Sequence, residues 1–252
     1  MGLRFARLTR EAVVDHVFRS LDRGLGGWIA TLNLDYVRRC ATEPDTGQLF
    51  SDVDLVVADG MPLLWAARLR GTPLPDRVAG SDLVWLLAER AAQAGRSLYL
   101  LGGNPGAAEA ARSQLQARWP QLRIAGVSSP RVSAEPTDEE IASLRSTLER
   151  AQPDLVYVAF GAPKEERVIA ALHTALPGAW WIGVGVSLSF MSGEIRRAPQ
   201  WMQRTGLEWL HRLAQEPRRL ARRYLVEDLP FAVRLLIASW RARRASSRAG
   251  SA

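Results

Sequence analysis

Six short apolar runs recur along the chain: WIATLN (28–33), DLVVA (54–58), SLYLLG (97–102), RIAGV (123–127), DLVYVAFG (154–161) and AWWIGVG (179–185). None alternates cleanly between apolar and polar, and each is bounded by turn residues. Strands buried on both faces of a parallel sheet read this way. Helical patterns fill the intervals. TREAVVDHVFRSLDRG (9–24) opens on a Thr9 cap and stops at Gly24. SDLVWLLAERAAQAG (81–95) reads the same way, with Ser81 and Gly95. NPGAAEAARSQLQARW (104–119) has Pro105 early, TDEEIASLRSTLERA (137–151) puts acids in its first turn, and PKEERVIAALHTAL (163–176) starts on proline. Alternating strands and helices predict an α/β fold, with a mostly parallel, Rossmann-like sheet covered by helices.

After residue 199 the strand signal stops. QWMQRTGLEWLHRLAQ and EPRRLARRYLVEDL read as amphipathic helices, Pro230 as a break, and ASSRAGSA as a disordered tail. The expected division is an α/β catalytic domain at 1–195, a basic helical, membrane-associating C-terminal appendage at 196–244, and a tail at 245–252. Charge sharpens that division. Residues 194–252 hold 13 arginines against 5 acids, near +8, whereas the whole chain is +7. A basic segment points to phosphate-bearing partners or an anionic membrane, or is simply a solvated face in an arginine-rich chain whose one lysine is Lys164. The single cysteine, Cys40, excludes an internal disulfide, and His16, His173 and His211 show no metal-ligand spacing. The longest late apolar stretch, LPFAVRLLIASW (229–240), falls well short of the roughly 20 residues that span a bilayer.

Ligands of parallel sheets bind beyond the carboxyl ends of the strands. Thr31 and Asn33 leave the first strand on one face, suited to hydrogen-bonding a sugar or base, or to capping the segment that starts at Leu34. Asp59 either accepts a proton from an attacking hydroxyl or caps the helix after Gly60. LLGGNPG (100–106) brings backbone to a helix start, where Gly102 and Gly103 suit an anion, but it matches neither the dinucleotide fingerprint nor a P-loop. AFGAPKEE (159–166) holds Gly161 and Glu165, the latter in a pair of acids that ordinarily just stabilises a helix start. GVGVSLSFMSGEIRRAP (183–199), with Gly185 and Arg196-Arg197, is a loop round a ligand or a flexible connection.

Taken together, TLN (31–33), ADG (58–60), RVAGSDL (77–83), YLLGG (99–103), FGAPKEE (160–166), GVG (183–185), SGEIRRAPQWMQRTGLEWLHRL (192–213) and EPRRLARRYL (216–225) resemble the WecG/TagA/CpsF glycosyltransferases over nearly the whole chain. The resemblance implies an inverting, metal- and cofactor-independent transfer. The donor is a UDP-sugar carrying an N-acetylated or acidic hexose. The acceptor is a polyprenyl-diphosphate-linked saccharide on the inner, cytoplasmic face of a bacterial plasma membrane. It implies Asp59 as the base and Arg77, Thr31 and Asn33 as active-site polar residues. It implies that Arg218, Arg219, Arg222 and Arg223 complete the site over the diphosphate and favour the membrane surface. Guanidinium groups suit that task, because charge must be met on the leaving diphosphate. A homo-oligomer is compatible with the nine tryptophans.

Two departures stand out. The family commonly has Pro-Lys-Gln-Glu where this chain has Pro163-Lys164-Glu165-Glu166, and often Phe-Asp where it has Leu188-Ser189. An ionised Glu165 accepts hydrogen bonds only and repels a diphosphate. These changes motivate an alternative, a catalytically silent nucleotide-sugar-binding module. A nucleic-acid-binding role for the basic tail is disfavoured, since its aromatic residues fall at helical, core-like spacing.

Overall fold

The computed structural model describes residues 3–249. Thr9 Oγ1 accepts the Ala12 N–H at 3.2 Å and starts α1 (Arg10–Leu21), followed by β1 (Gly27–Leu32), α2 (Leu34–Thr42) and α3 (Pro44–Gln48). Then come β2 (Leu55–Ala58), α4 (Met61–Arg70), α5 (Gly80–Ala94), β3 (Ser97–Gly102), α6 (Ala107–Arg118) and β4 (Arg123–Ser128). A reciprocal box between Thr137 and Glu140 opens α7 (Asp138–Ala151), which leads to β5 (Leu155–Ala159), α8 (Lys164–Leu172), β6 (Trp180–Gly183) and α9 (Ser187–Met191). Each of the six apolar runs coincides with a strand, β1 starting one residue earlier at Gly27 and β4 ending one residue later at Ser128.

Five local expectations are corrected. Ser81 is not a cap: the Ala79 carbonyl already takes the N–H groups of Asp82 and Leu83, so α5 starts at Gly80. Pro105 precedes its helix, because Gly106 enters α6 in a left-handed conformation that the first turn cannot contain. Pro230 does not break the tail. Past α10 (Gln200–Thr205), α11 (Glu208–Gln215) and α12 (Pro217–Ala221), residues Arg222–Asp228 take wide π-helical turns and run directly into α13 (Leu229–Ala249). The wide turns shift the hydrogen-bond register just before Pro230, where a missing N–H is tolerated. Helix α13 therefore covers residues 245–249, expected as tail; residues 250–252 lie outside the described ones. The stretch 200–215, read as one helix, is split at Gly206, whose φ is +77°.

The sheet is all parallel, in the order β2-β1-β6-β5-β3-β4. Successive strand residues serve opposite cores. Ile29, Leu98, Leu100, Leu155, Tyr157 and Ile182 pack with α1, α5 and α6. Trp28, Leu101, Val156, Val158 and Trp181 pack with α2 and α8. Both faces are buried, which is why the runs are continuous rather than alternating. Each large aliphatic side chain so buried contributes about 1.5–3 kcal/mol.

Connections leave the adjacent strands β3 and β5 in opposite directions, toward β4 and β6, which opens a crevice at their carboxyl ends. The basic tail is not a loose arm. Helix α13 lies along α4, and Phe231 and Leu235 pack onto the α2-side core.

Candidate active site

The carboxyl ends of β1 and β2 carry the charged half of the site. The Asp59 N–H bonds the Leu32 carbonyl at 2.9 Å, and the Val78 N–H bonds the Ala58 carbonyl at 2.9 Å. These two bonds set Asp59, Thr31 and Arg77 side by side. Asp59 does not cap α4, whose N-cap is Gly60 without a side-chain bond. Its carboxylate is half-buried and receives no side-chain or backbone donor among the described residues. Burial drives its pKa up to about 6, opposed by the charges of Arg77 and Arg197 and reinforced by Glu208 and Asp82. A base with that pKa is ionised at neutral pH and well matched to accept a hydroxyl proton.

Around Asp59 two guanidinium groups alternate with two carboxylates. Arg77 donates to Glu208 at 3.0 Å and to Asp82 at 3.1 Å. Arg197 donates to the other oxygens of the same two acids, at 3.2 Å to Glu208 and 2.5 Å to Asp82. All four side chains are 15–20% exposed. Asp82 stands in the first turn of α5, whereas Arg197 and Glu208 come from the tail, so the square ties the tail to the body at the site's edge. One Arg197 nitrogen, Nη2, is buried with no partner.

The β3/β5 crevice is lined by glycine turns, and Asn104, which follows the first of them, donates to Glu194 at 2.7 Å. Gly102 has φ +96°, and a Cβ there would stand 2.7 Å from the Ala159 carbonyl oxygen, so only glycine fits. The Gly103 N–H bonds that same carbonyl at 2.7 Å. Glu165 lies beneath, 5% exposed, and its Oε2 accepts the N–H groups of Gly161 at 3.2 Å and Gly185 at 3.0 Å. It thus holds the turns after β5 and β6, rather than projecting toward the crevice. Glu166 is equally buried and accepts the Tyr36 hydroxyl. Asn33 caps α2 by accepting the Tyr36 N–H at 3.2 Å. Thr31 packs on the start of α5, where a Cβ at Gly80 would lie 3.0 Å from its Oγ1.

The tail arginines are spread along its outer rim. Arg218, Arg219 and Arg222 are exposed; Arg219 pairs with Glu216 at 2.7 Å and Arg222 with Glu227 at 3.4 Å. Arg223 approaches Asp35 of α2 at 3.9 Å, two residues beyond Asn33. The same part of the tail is clamped by Arg38, which reaches Asp35, Glu227 at 3.1 Å and Asp228 at 3.1 Å. Of the sequence candidates, Asp59, Arg77 and Thr31 therefore meet. The glycines line the neighbouring crevice, Glu165 and Asn33 are spent on backbone, and Arg218, Arg219 and Arg222 stand apart from the carboxylate. Sequence reading missed Asp82 and Glu208 as partners of Arg77, and Arg197 as the second cation on the same two acids. Their only signal was two arginines and two acids in the quoted RVAGSDL and SGEIRRAPQWMQRTGLEW stretches. Among the described residues, no group of three His, Cys, Asp or Glu is placed to hold a metal ion.

Fold and site together define a parallel α/β protein whose carboxyl edge joins an aspartate without a donor among the described residues to paired guanidinium groups and a glycine-lined crevice. The chain belongs to the glycosyl transferase WecG/TagA/CpsF family, whose model matches residues 1–245. It is 30% identical over 202 residues to the N-acetylglucosaminyldiphosphoundecaprenol N-acetyl-beta-D-mannosaminyltransferase of Bacillus subtilis (strain 168), covering 80% of this chain and 77% of that one. The enzyme of the same name from Bacillus spizizenii (strain W23) is also 30% identical over 202 residues, covering 80% and 76%. The chain is thus a glycosyltransferase of the hexosyl type.

Proposed function

We propose that the chain transfers a hexose of the N-acetylhexosamine or uronic acid type from a UDP-sugar to a polyprenyl-diphosphate-linked saccharide. The reaction inverts the anomeric carbon and serves cell-surface polysaccharide synthesis at the inner face of the plasma membrane. The observation that carries this reading is Asp59: a carboxylate with no hydrogen-bond donor, poised near 6, beside two guanidinium groups. Asp59 takes the acceptor hydroxyl proton as the oxygen attacks the anomeric carbon. The bond from that carbon to the diphosphate breaks, and the electron pair leaves with UDP. The guanidinium groups of Arg77 and Arg197 offer positive potential to the leaving charge. By their name, the relatives build on an undecaprenyl-diphosphate-linked N-acetylglucosamine, which makes that the first acceptor to try.

The tail suits a lipid-borne acceptor. Leu225, Leu229, Val233, Ile237 and Trp240 are 43–51% exposed and recur every three to four residues. They form a stripe on the side of α13 opposite Phe231 and Leu235, which pack on the core. Arg218, Arg219, Arg222, Arg234, Arg241 and Arg244 lie along the same tail. No described helix is long and apolar enough to cross a membrane, so this stripe lies in the interface, with arginines at anionic headgroups.

The test is a panel of UDP-hexoses offered with a short polyprenyl-diphosphate-N-acetylglucosamine acceptor. Product with an N-acetylhexosamine or uronic acid donor supports the reading. Donor binding without turnover across the panel replaces it with the silent nucleotide-sugar-binding module.

A further inference from the structure

Two carboxyl groups, Glu165 and Glu166, lie side by side at the start of α8, 5% and 6% exposed. Their bonds leave a surplus of acceptors. Glu165 Oε2 takes the Gly161 and Gly185 N–H groups, and Glu166 Oε1 takes the Tyr36 hydroxyl. Glu166 Oε2 is buried with no donor among the described residues. Two ionised carboxylates in contact would have nothing between them but repulsion, and a buried acceptor without a donor costs about 1–3 kcal/mol. One proton removes both faults, because a neutral Glu165 donates through its free oxygen to Glu166. The facing groups supply no alternative. On α2, Tyr36 already donates, Cys40 is turned to the Thr46 carbonyl at 4.0 Å, and Arg39, the cation that acts on the pair, is bound to Glu43 at 3.2 Å. On α8, Lys164 points to the Val132 carbonyl at 2.8 Å.

We propose that Glu165 and Glu166 share a single proton, and that this neutral-plus-ionised pair is the brace positioning the glycine turns after β5 and β6 under the active site. A cavity of about 20 Å³ beside the pair is also lined by Thr31 and Gly183, so the brace and the site share a wall. Burial, then the neighbouring carboxylate, raises the Glu165 pKa well above the ordinary range, and burial raises that of Glu166. A protonated Glu165 is a neutral donor and acceptor, as a glutamine is. The acid at this position therefore brings no extra negative charge toward a diphosphate. Glu165 is a positioning residue, since its carboxyl bonds backbone rather than projecting toward the crevice.

The sign follows from linkage. The folded pair holds a proton that the unfolded chain releases above the ordinary glutamate range, so stability falls as pH rises. Urea unfolding of the intact chain between about pH 5 and about pH 8.5 reads this. Asp59 and Asp228 add to the slope equally in wild type and variant. In E165Q, and likewise in E166Q, the pair keeps one negative charge and loses the shared proton. The decline of the urea midpoint is expected to shrink by about half in each. Should either variant fail to fold, infrared spectra of the wild type decide. A neutral carboxylic acid band is expected at about pH 8 that shifts on ¹³C-glutamate labelling, which leaves aspartates unmoved. Equal slopes in wild type and both variants, or no glutamate-sensitive band, would overturn the proposal. Neither readout requires that any sugar be transferred.

Discussion

The two ends of the sheet use acids in opposite ways. At the amino end, Asp154 accepts the Ser97 N–H at 2.7 Å, the Ser97 hydroxyl at 2.8 Å and Arg96 at 3.1 Å. Asp54 there accepts the Trp28 N–H at 2.8 Å and so ties β2's approach to β1. Burial works against the Asp154 charge, but the Ser97 and Arg96 donors outweigh it and hold the pKa below the ordinary value. At the carboxyl end, Asp59 has the same side chain, is more deeply desolvated and has no donor among the described residues, and its pKa rises. A satisfied carboxylate is a staple. An unsatisfied one, with cations near enough to keep it ionised but not bonded to it, is a base in waiting.

That contrast can be broken from either side. The largest effect is expected from Asp59→Asn, which keeps the shape and removes the base. A transfer assay should show kcat lowered by about a thousandfold, with UDP binding by calorimetry retained. Arg77→Ala comes next. It leaves Asp82 and Glu208 short of one cation, so denaturant unfolding should show a loss of about 3 kcal/mol, with kcat/KM lowered more than tenfold. Asp154→Ala is expected to cost about 2–3 kcal/mol of stability, while kcat per folded molecule stays at the wild-type value. Its pH dependence carries the opposite sign to that of Asp59. The lowered Asp154 pKa stabilises above the unfolded aspartate value near ~3.9, and that contribution is lost as pH falls through the folded value. The raised Asp59 pKa makes wild-type stability decline as pH climbs from about 4 through about 6, and the decline is expected to be shallower in Asp59→Asn, where Asp228 and the Glu165/Glu166 pair still contribute. The smallest effect belongs to Ile237→Asp on the outer stripe of α13. It should weaken sedimentation with anionic liposomes by about tenfold and spare turnover of a short, water-soluble acceptor.

Much of the architecture was legible because burial on both faces writes continuous apolar runs, and these locate β1 to β6 to within a few residues. Helix starts were less legible. Ser81 and Pro105 are ordinary start signals overruled by neighbours, the Ala79 carbonyl in one case and left-handed Gly106 in the other. Pro230 failed as a break because the wide turns of 222–228 precede it, and nothing in the local composition announces them. At the site, Asp59 and Thr31 follow from their place at strand ends, and Arg77 from the family resemblance. Their electrostatic setting does not. Arg77 and Glu208 are 131 residues apart, and Arg38 and Asp228 are 190 apart. No local pattern records pairs that only the docked tail creates. The Pro163-Lys164-Glu165-Glu166 departure looked like added charge near a ligand, whereas the structure spends Glu165 on the Gly161 and Gly185 N–H groups.

The most direct measurement is the pH profile of kcat/KM for the wild-type chain, which reports groups of the free enzyme. An acidic limb with its midpoint near the Asp59 value of about 6, with activity rising as the carboxylate ionises, is the expected result. A profile that stays flat from about pH 4.5 to about pH 8 would show that no group with such a pKa governs transfer, and Asp59 would lose its role.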